Sequence, residues 1–460
     1  MRRCGLVLLG LWLGVLAAPL EARLAGPLEV RQAAAGRDLA AIRASGQLRV
    51  LINQSRHSAG VTREGMLGSE YPRLRALVQQ LNRQSADDRQ IRLVLVPRPK
   101  EQLLAALLRG EGDLVAPGEL LAVRRDQQVA TSRPVEREVP LVIVTRRGAP
   151  RLAHLEQLAG RSLALPAGSA ARGALQTLNA TLKRPLVADW QDPSLAVEDV
   201  LELVQAGVLS MTAVELPIAR RFARVWPRLR IDEHLRLSEG QDLYWFMHRK
   251  APALRAAVDQ FLRGYRASAD QEATFLRTYR RLYKVHNPLG RTELQRLQRV
   301  RATLLRHAKA QQLDWLWLAA LAYKESTLNP AARGRGGVTG LMQVSPATAR
   351  SVGVSHPASL EGNVLAASRY LVRLRERFFS GSQFNERERM AFMLAAYNLG
   401  PQRVQQLRAE ARRRGLNPYQ WFFQVERVAA ERHGMGVVSY VSSINKYQLI
   451  YSRERYRLEP

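Results

Sequence analysis

The stretch Leu313–Arg350, LDWLWLAALAYKESTLNPAARGRGGVTGLMQVSPATAR, decides how this chain is read. It opens as a helix. Asp314 stands where an N-cap belongs. Leu316, Leu318, Ala319, Ala320, Leu321 and Ala322 make the segment apolar around most of its circumference, as a core helix requires. At its C-terminal end this helix delivers Glu325, followed at once by Ser326. A turn-rich loop with Asn329, Pro330, Gly334, Gly336 and Gly337 comes next, and then Gly340-Leu341-Met342-Gln343. A carboxyl at the end of a buried helix loses hydration and faces the negative end of the helix dipole. Both effects raise its pKa, toward a value at which it donates a proton near neutral pH. The plain alternative is a solvated carboxylate at a helix end.

The company Glu325 keeps narrows the choice. Glu325-Ser326, Gly340-Leu341-Met342-Gln343 and Ala396-Tyr397-Asn398 occur in that order, with NVLAASRYL (Asn363–Leu371) between the second and third. Together they resemble the signature blocks of the goose-lysozyme-like lytic transglycosylases that cleave bacterial peptidoglycan. The ending, Ser439-Tyr440-Val441 through Asn445-Lys446-Tyr447, is similar to the close of the membrane-bound lytic transglycosylase F group. In one place the chain departs from that group. Where a glutamate tends to precede the tyrosine at the Tyr440 position, Gly434-Met435-Gly436 stands here, so that the supporting acid is either missing or supplied by Glu426 or Glu431.

The chain begins with Arg2 and Arg3, an apolar run from Gly5 to Ala18, and Pro19-Leu20-Glu21-Ala22. This is the pattern of a secretory signal peptide over residues 1–22. The run is short of the ~20 residues that a membrane span needs, and an uncleaved anchor is the alternative. Cys4, the only cysteine, precedes the apolar run, so the exported chain would carry no thiol chemistry. The length of 460 residues suits two to three domains. Lys plus Arg is 70 against 40 Asp plus Glu, a formal charge of +30. Such an excess fits an acidic polymer. No zinc-finger spacing, RNA-recognition aromatics or basic tail supports nucleic acid. With an export signal, the polymer is the envelope, and peripheral contact with its membrane follows; a solvated arginine-rich surface is the bland reading.

From Ser45 to Tyr283 short apolar runs alternate with amphipathic helices. The predicted strands are Leu48–Asn53, Ile91–Val96, Val139–Thr145, Ser162–Leu165, Leu209–Val214 and Leu243–Met247. The predicted helices are Tyr71–Leu81, Glu101–Leu108, Ala170–Leu182, Ala196–Ala206 and Pro252–Ala267. Alternation argues for an α/β domain with mostly parallel sheets, and its length for two lobes. The stretch resembles the family 3 periplasmic solute-binding proteins in Ser45–Val50, Gly110–Asp113, Arg124-Arg125 and Ser132–Val135. The resemblance implies that Arg125 grips a ligand carboxylate, as a guanidinium can by forking. It also implies that Glu215 takes an amino group, with an amino acid or muropeptide as ligand. Ser69-Glu70-Tyr71 replaces the usual Gly-Phe-Asp entry, and an empty scaffold is the alternative.

Tyr283–Gly290 carries the Pro and Gly of a short linker, expected over residues 284–292. From there the pattern is helical: Leu294, Leu297, Val300 and Leu304, then Val364–Phe378, then Glu388–Tyr397. The expected architecture is a two-lobed α/β periplasmic-binding-protein-like domain (residues 45–283) followed by an all-α lysozyme-like domain (293–460).

A glycosidase normally uses two carboxylates, and these blocks supply only Glu325. The resemblance implies that the substrate provides the nucleophile, the 6-hydroxyl of muramic acid. Glu325 would protonate the glycosidic oxygen and then take the hydroxyl proton, leaving a 1,6-anhydromuramyl end. Ser326 would bind substrate or steady Glu325. Met342 offers an apolar surface for a sugar face, and Gln343 a donor and acceptor for an acetamido group. Tyr397 and Asn398 would line the cleft, with Tyr440 near the acid. For Met342 and Tyr397 the alternative is core packing. No metal-ligand spacing appears and no cofactor is implied. The competing functions are a wall-binding sensor that does not cut and a muramidase that uses water.

Overall fold

The computed structural model describes residues 36–63, 65–84, 90–123, 129–282 and 285–459. The expected signal peptide and Arg125 lie outside the described residues.

The N-terminal half has two lobes, each built on a five-stranded sheet. The strands in chain order are β1 (Gln47–Asn53), β2 (Gly60–Thr62), β3 (Gly65–Leu67), β4 (Arg92–Arg98), β5 (Leu114–Ala116), β6 (Val129–Thr131), β7 (Glu136–Arg146), β8 (Ser162–Leu165), β9 (Val187–Trp190), β10 (Met211–Glu215), β11 (Leu229–Leu243) and β12 (Phe246–His248). The first lobe orders its sheet β4-β1-β5-β12-β6 and the second β11-β7-β10-β8-β9; β2 and β3 form a separate ribbon. β1 runs parallel to β4 and β5, and Leu48, Val50, Leu51 and Ile52 are fully buried, as expected of a central strand covered on both faces.

The sheets are mixed rather than mostly parallel. β7 pairs antiparallel with β10 and β11, and β12 pairs antiparallel with β5 and β6. The chain crosses to the second lobe on β7 and returns through β11 and β12. The long strands β7 and β11 therefore join the lobes. β11 hides from a sequence reading because its register against β7 shifts repeatedly between Asp232 and Leu243.

The C-terminal half is helical. Among the described residues its strand-like pairings are isolated bridges, Arg333 with Thr339 and Thr339 with Val344. The acid-bearing helix, Trp315–Ser326, is capped by Asp314, whose carboxylate accepts the Leu316 N–H at 3.1 Å. Every residue from Trp315 to Tyr323 is buried, so this helix is the axis of the domain. Against it pack Arg291–Ala310 and Met435–Arg453, and on these in turn pack Leu360–Phe378 and Glu386–Leu399. One hydrophobic core runs without a break from Val142 and Phe222 of the second lobe to Leu316 and Ile444 of the helical half.

A buried ionic seam crosses the same boundary. Helix Val197–Ala206 of the second lobe turns Glu198, Asp199 and Glu202 inward, each at most 2% exposed. Arg56 of the first lobe reaches Asp199 at 3.1 Å and Glu426 at 3.0 Å. Lys446 of the helical half reaches Asp199 at 2.6 Å and Glu202 at 2.5 Å. Buried charges persist only when paired in this way.

Candidate active site

Glu325 sits one residue from the end of its helix and is half-buried. The Tyr440 hydroxyl, from helix Met435–Arg453, donates to Glu325 Oε1 at 2.5 Å. Burial raises the Glu325 pKa above the ordinary carboxylate value; the Tyr440 hydrogen bond and the neighbouring Lys324 ammonium oppose this without cancelling it. Tyr440 and Tyr397 are pushed well above the ordinary phenol value by burial and then by the Glu325 charge, so both remain neutral donors. No carboxylate is among the groups that shift Glu325.

The backbone facing the acid is held by polar side chains that sequence reasoning had given to the substrate. Ser326 Oγ donates to the Leu341 carbonyl at 2.8 Å and to Ala322 at 3.1 Å, and it accepts the Asn329 N–H at 3.1 Å. It pins the loop to the helix and does not touch the Glu325 carboxyl. Met342 is fully buried, so it offers no surface to a sugar ring; its side chain belongs to the core. Its carbonyl accepts the Tyr397 hydroxyl at 2.8 Å. Gln343 turns its amide back onto Gly340 O at 2.8 Å and Ala332 O at 3.3 Å. These three residues shape the site. Asn398, at the end of helix Glu386–Leu399, has its side chain exposed, and Tyr397 is half-buried beside it.

The residue that organises this loop is Asn363, which sequence reasoning left inside a helix block without a role. It is fully buried, accepts the Met342 N–H at 2.7 Å, and donates to Thr339 O and Pro357 O at 2.8 Å each. Gly340 makes the approach possible. A Cβ there would lie 2.5 Å from Asn363 Cγ, and its φ of 80° is one that side chains resist. An Asn on the apolar side of a helix, following a glycine-bearing loop, is the signal that pointed to it.

Three residues next to the acid adopt left-handed backbone without being glycine: Thr327 (φ 54°), Leu328 (φ 60°) and Gln343 (φ 47°). Such conformations cost roughly 1–3 kcal/mol each and persist where the surroundings over-determine them. Neither Glu426 nor Glu431 replaces the absent supporting acid. Glu426 is buried against Arg56 and Glu431 pairs with Arg414, so neither reaches Tyr440 or Glu325.

In the N-terminal half Glu215 is buried and already has partners within the protein. It is 5% exposed, accepts the Leu120 N–H at 3.0 Å and lies 3.7 Å from the Lys100 ammonium.

A lone acid with a tyrosine on it, held in a helical domain, belongs to a defined class. Residues 303–420 match the family model described as Transglycosylase SLT domain. Two curated relatives are each named membrane-bound lytic murein transglycosylase F. The one from Pseudomonas putida is 30% identical, with 83% of this chain aligned to 77% of the relative. The one from Desulfosudis oleivorans is 27% identical, at 83% and 81%. The chain belongs to the membrane-bound lytic murein transglycosylase F family, and its activity is that of a lytic murein transglycosylase. Among solved structures, holo ArgBP from T. maritima is 19% identical, covering 52% of this chain and 97% of that one with a TM-score of 0.40. The amino acid transporter substrate-binding protein AbpA from Streptococcus pneumoniae, bound to L-arginine, is 18% identical over 53% and 96%, also at 0.40.

Proposed function

We propose that Glu325 is the single catalytic acid and base of a transglycosylase that cuts the MurNAc–GlcNAc β-1,4 bond and leaves 1,6-anhydromuramyl ends. The observation that carries this is one half-buried carboxyl whose pKa is raised by burial and which, among the described residues, takes its hydrogen bond from a tyrosine hydroxyl. Protonated, Glu325 gives its proton to the departing glycosidic oxygen. As a carboxylate it then takes the proton of the muramyl 6-hydroxyl while that oxygen closes on C1. The proton count balances without water. Tyr440 keeps the carboxyl oriented through both steps. Tyr397 and the exposed Asn398 lie where a glycan would pass, and Ser326, Met342 and Gln343 support that surface from behind.

Digestion of purified sacculi followed by mass spectrometry tests the reading. The expected products carry muramyl ends lighter by one water than reducing ends, and Glu325→Gln releases them at least about 10²-fold more slowly. Reducing ends alone would assign a water-using muramidase. Intact sacculi with wild-type protein would assign a wall-binding sensor.

The same proposal places the protein outside the inner membrane, exported by residues 1–22 and peripheral to the outer membrane. The relatives' name supports membrane association, and among the described residues no helix is long and apolar enough to cross a membrane. For the N-terminal half, the reading is that the cleft between its lobes takes the ammonium group of an amino acid or muropeptide. Two carboxylates converging from opposite lobes, Glu119 and Glu215, support it.

A further inference from the structure

The interlobe cleft already contains an ammonium group. Lys100 follows β4 in the first lobe, is 6% exposed, and directs Nζ between the two carboxylates. Nζ lies 2.9 Å from Glu119 Oε2, on the segment after β5, and 3.7 Å from Glu215 Oε1, at the end of β10 in the second lobe. Asn53, at the end of β1, donates to the other Glu119 oxygen at 2.6 Å, and Leu120 N–H donates to Glu215 at 3.0 Å. All of these groups stand at or just beyond the carboxyl ends of sheet strands, where open α/β sheets hold ligands. The lobes touch at this point. A Cβ on Gly168, in the loop after β8, would meet Lys100 Cβ at 3.0 Å and Glu101 Oε2 at 2.9 Å.

The ammonium is tethered, so it is always present at high effective concentration. A free amine that enters must displace Lys100 from a buried carboxylate pair, and the displaced charge must find solvent. Burial disfavours the charge on Lys100; the two carboxylates outweigh burial and keep it charged.

We propose that this cleft is a site for primary ammonium groups whose resident occupant is Lys100, which staples the lobes shut and competes with any free ligand. This rests on the reading of the cleft as an ammonium site. A surface lysine makes weak, solvated pairs; this one is enclosed by carboxylates from both lobes, and its removal would vacate the volume of an n-propylammonium ion.

The test uses the full chain and thermal shift. Lys100→Ala is expected to be stabilised by n-propylammonium at concentrations at least tenfold below those that affect wild type. Tetramethylammonium, which has no N–H, is expected to do nothing, and the triple variant Lys100→Ala/Glu119→Gln/Glu215→Gln is expected to lose the response. Equal stabilisation of wild type and Lys100→Ala would overturn the tethered occupant while leaving the ammonium site standing. A folded Lys100→Ala that ignores n-propylammonium would overturn both. Should Lys100→Ala not fold, lysine acetylation of wild type read by mass spectrometry decides. Lys100 is expected to stay unmodified while exposed Lys183 reacts; equal reaction rates would overturn the proposal.

Discussion

Two carboxylate sites in this protein stand in opposite conditions. Among the described residues, Glu325 in the helical half has the Tyr440 hydroxyl as its hydrogen-bond partner and keeps part of its surface open. Glu119 and Glu215 between the lobes are enclosed and face a cation, an amide and a backbone N–H. Both environments desolvate a carboxyl. Both raise its pKa, at Glu325 and at Glu119; what differs is that the pair between the lobes has its charges satisfied by partners within the protein. Burial alone therefore does not mark a catalytic acid, and the count of partners separates the two cases.

The contrast breaks first at Glu325. Glu325→Gln is expected to lower turnover on sacculi by about 10²–10⁴-fold, with an unchanged melting curve; retention of a tenth of the wild-type rate would move the acid elsewhere. Next is the ionic seam. Lys446→Met leaves Asp199 and Glu202 without their shared ammonium, and breaking a buried pair costs about 3–5 kcal/mol. A denaturant midpoint equal to wild type would show that the seam is hydrated. Asn363→Ala strands one buried N–H and deprives two carbonyls of their donor. A loss of about 1–3 kcal/mol is expected, with kcat falling more than KM rises because the backbone under Tyr397 loosens. The smallest expected effect is that of Tyr440→Phe. Its hydroxyl holds the Glu325 pKa down against burial, so removing it raises that pKa further. The acid must be protonated to act, and the descending limb of kcat against pH then moves to higher pH. A limb that moves to lower pH would assign Tyr440 a different role.

Much of the helical half was legible because its chemistry lies in contiguous blocks. An apolar helix ending in Glu-Ser, a glycine loop and a Tyr-Asn pair keep their meaning without tertiary information. A residue's place in a block does not say which way it points: Met342 turns into the core, and Gln343 turns its amide back on its own loop through a left-handed φ. Central strands of the lobes were legible from apolar runs, as in Ser162–Leu165. The short β5 and β6 and the shifting β11 lacked a clean period. Buried charges were the least legible. Glu198, Asp199 and Glu202 look like one turn of a solvated helix, and Lys100 like any surface lysine, until partners from distant parts of the chain close around them.

The left-handed turn at Thr327 and Leu328 carries a warning for anyone who would make this enzyme hardier. Glycine at position 327 would relieve a backbone that L-residues resist, and heat tolerance could rise at little design effort. The relief would fall two residues from Glu325. Engineering for shelf life and engineering for catalysis would then pull on the same peptide in opposite directions.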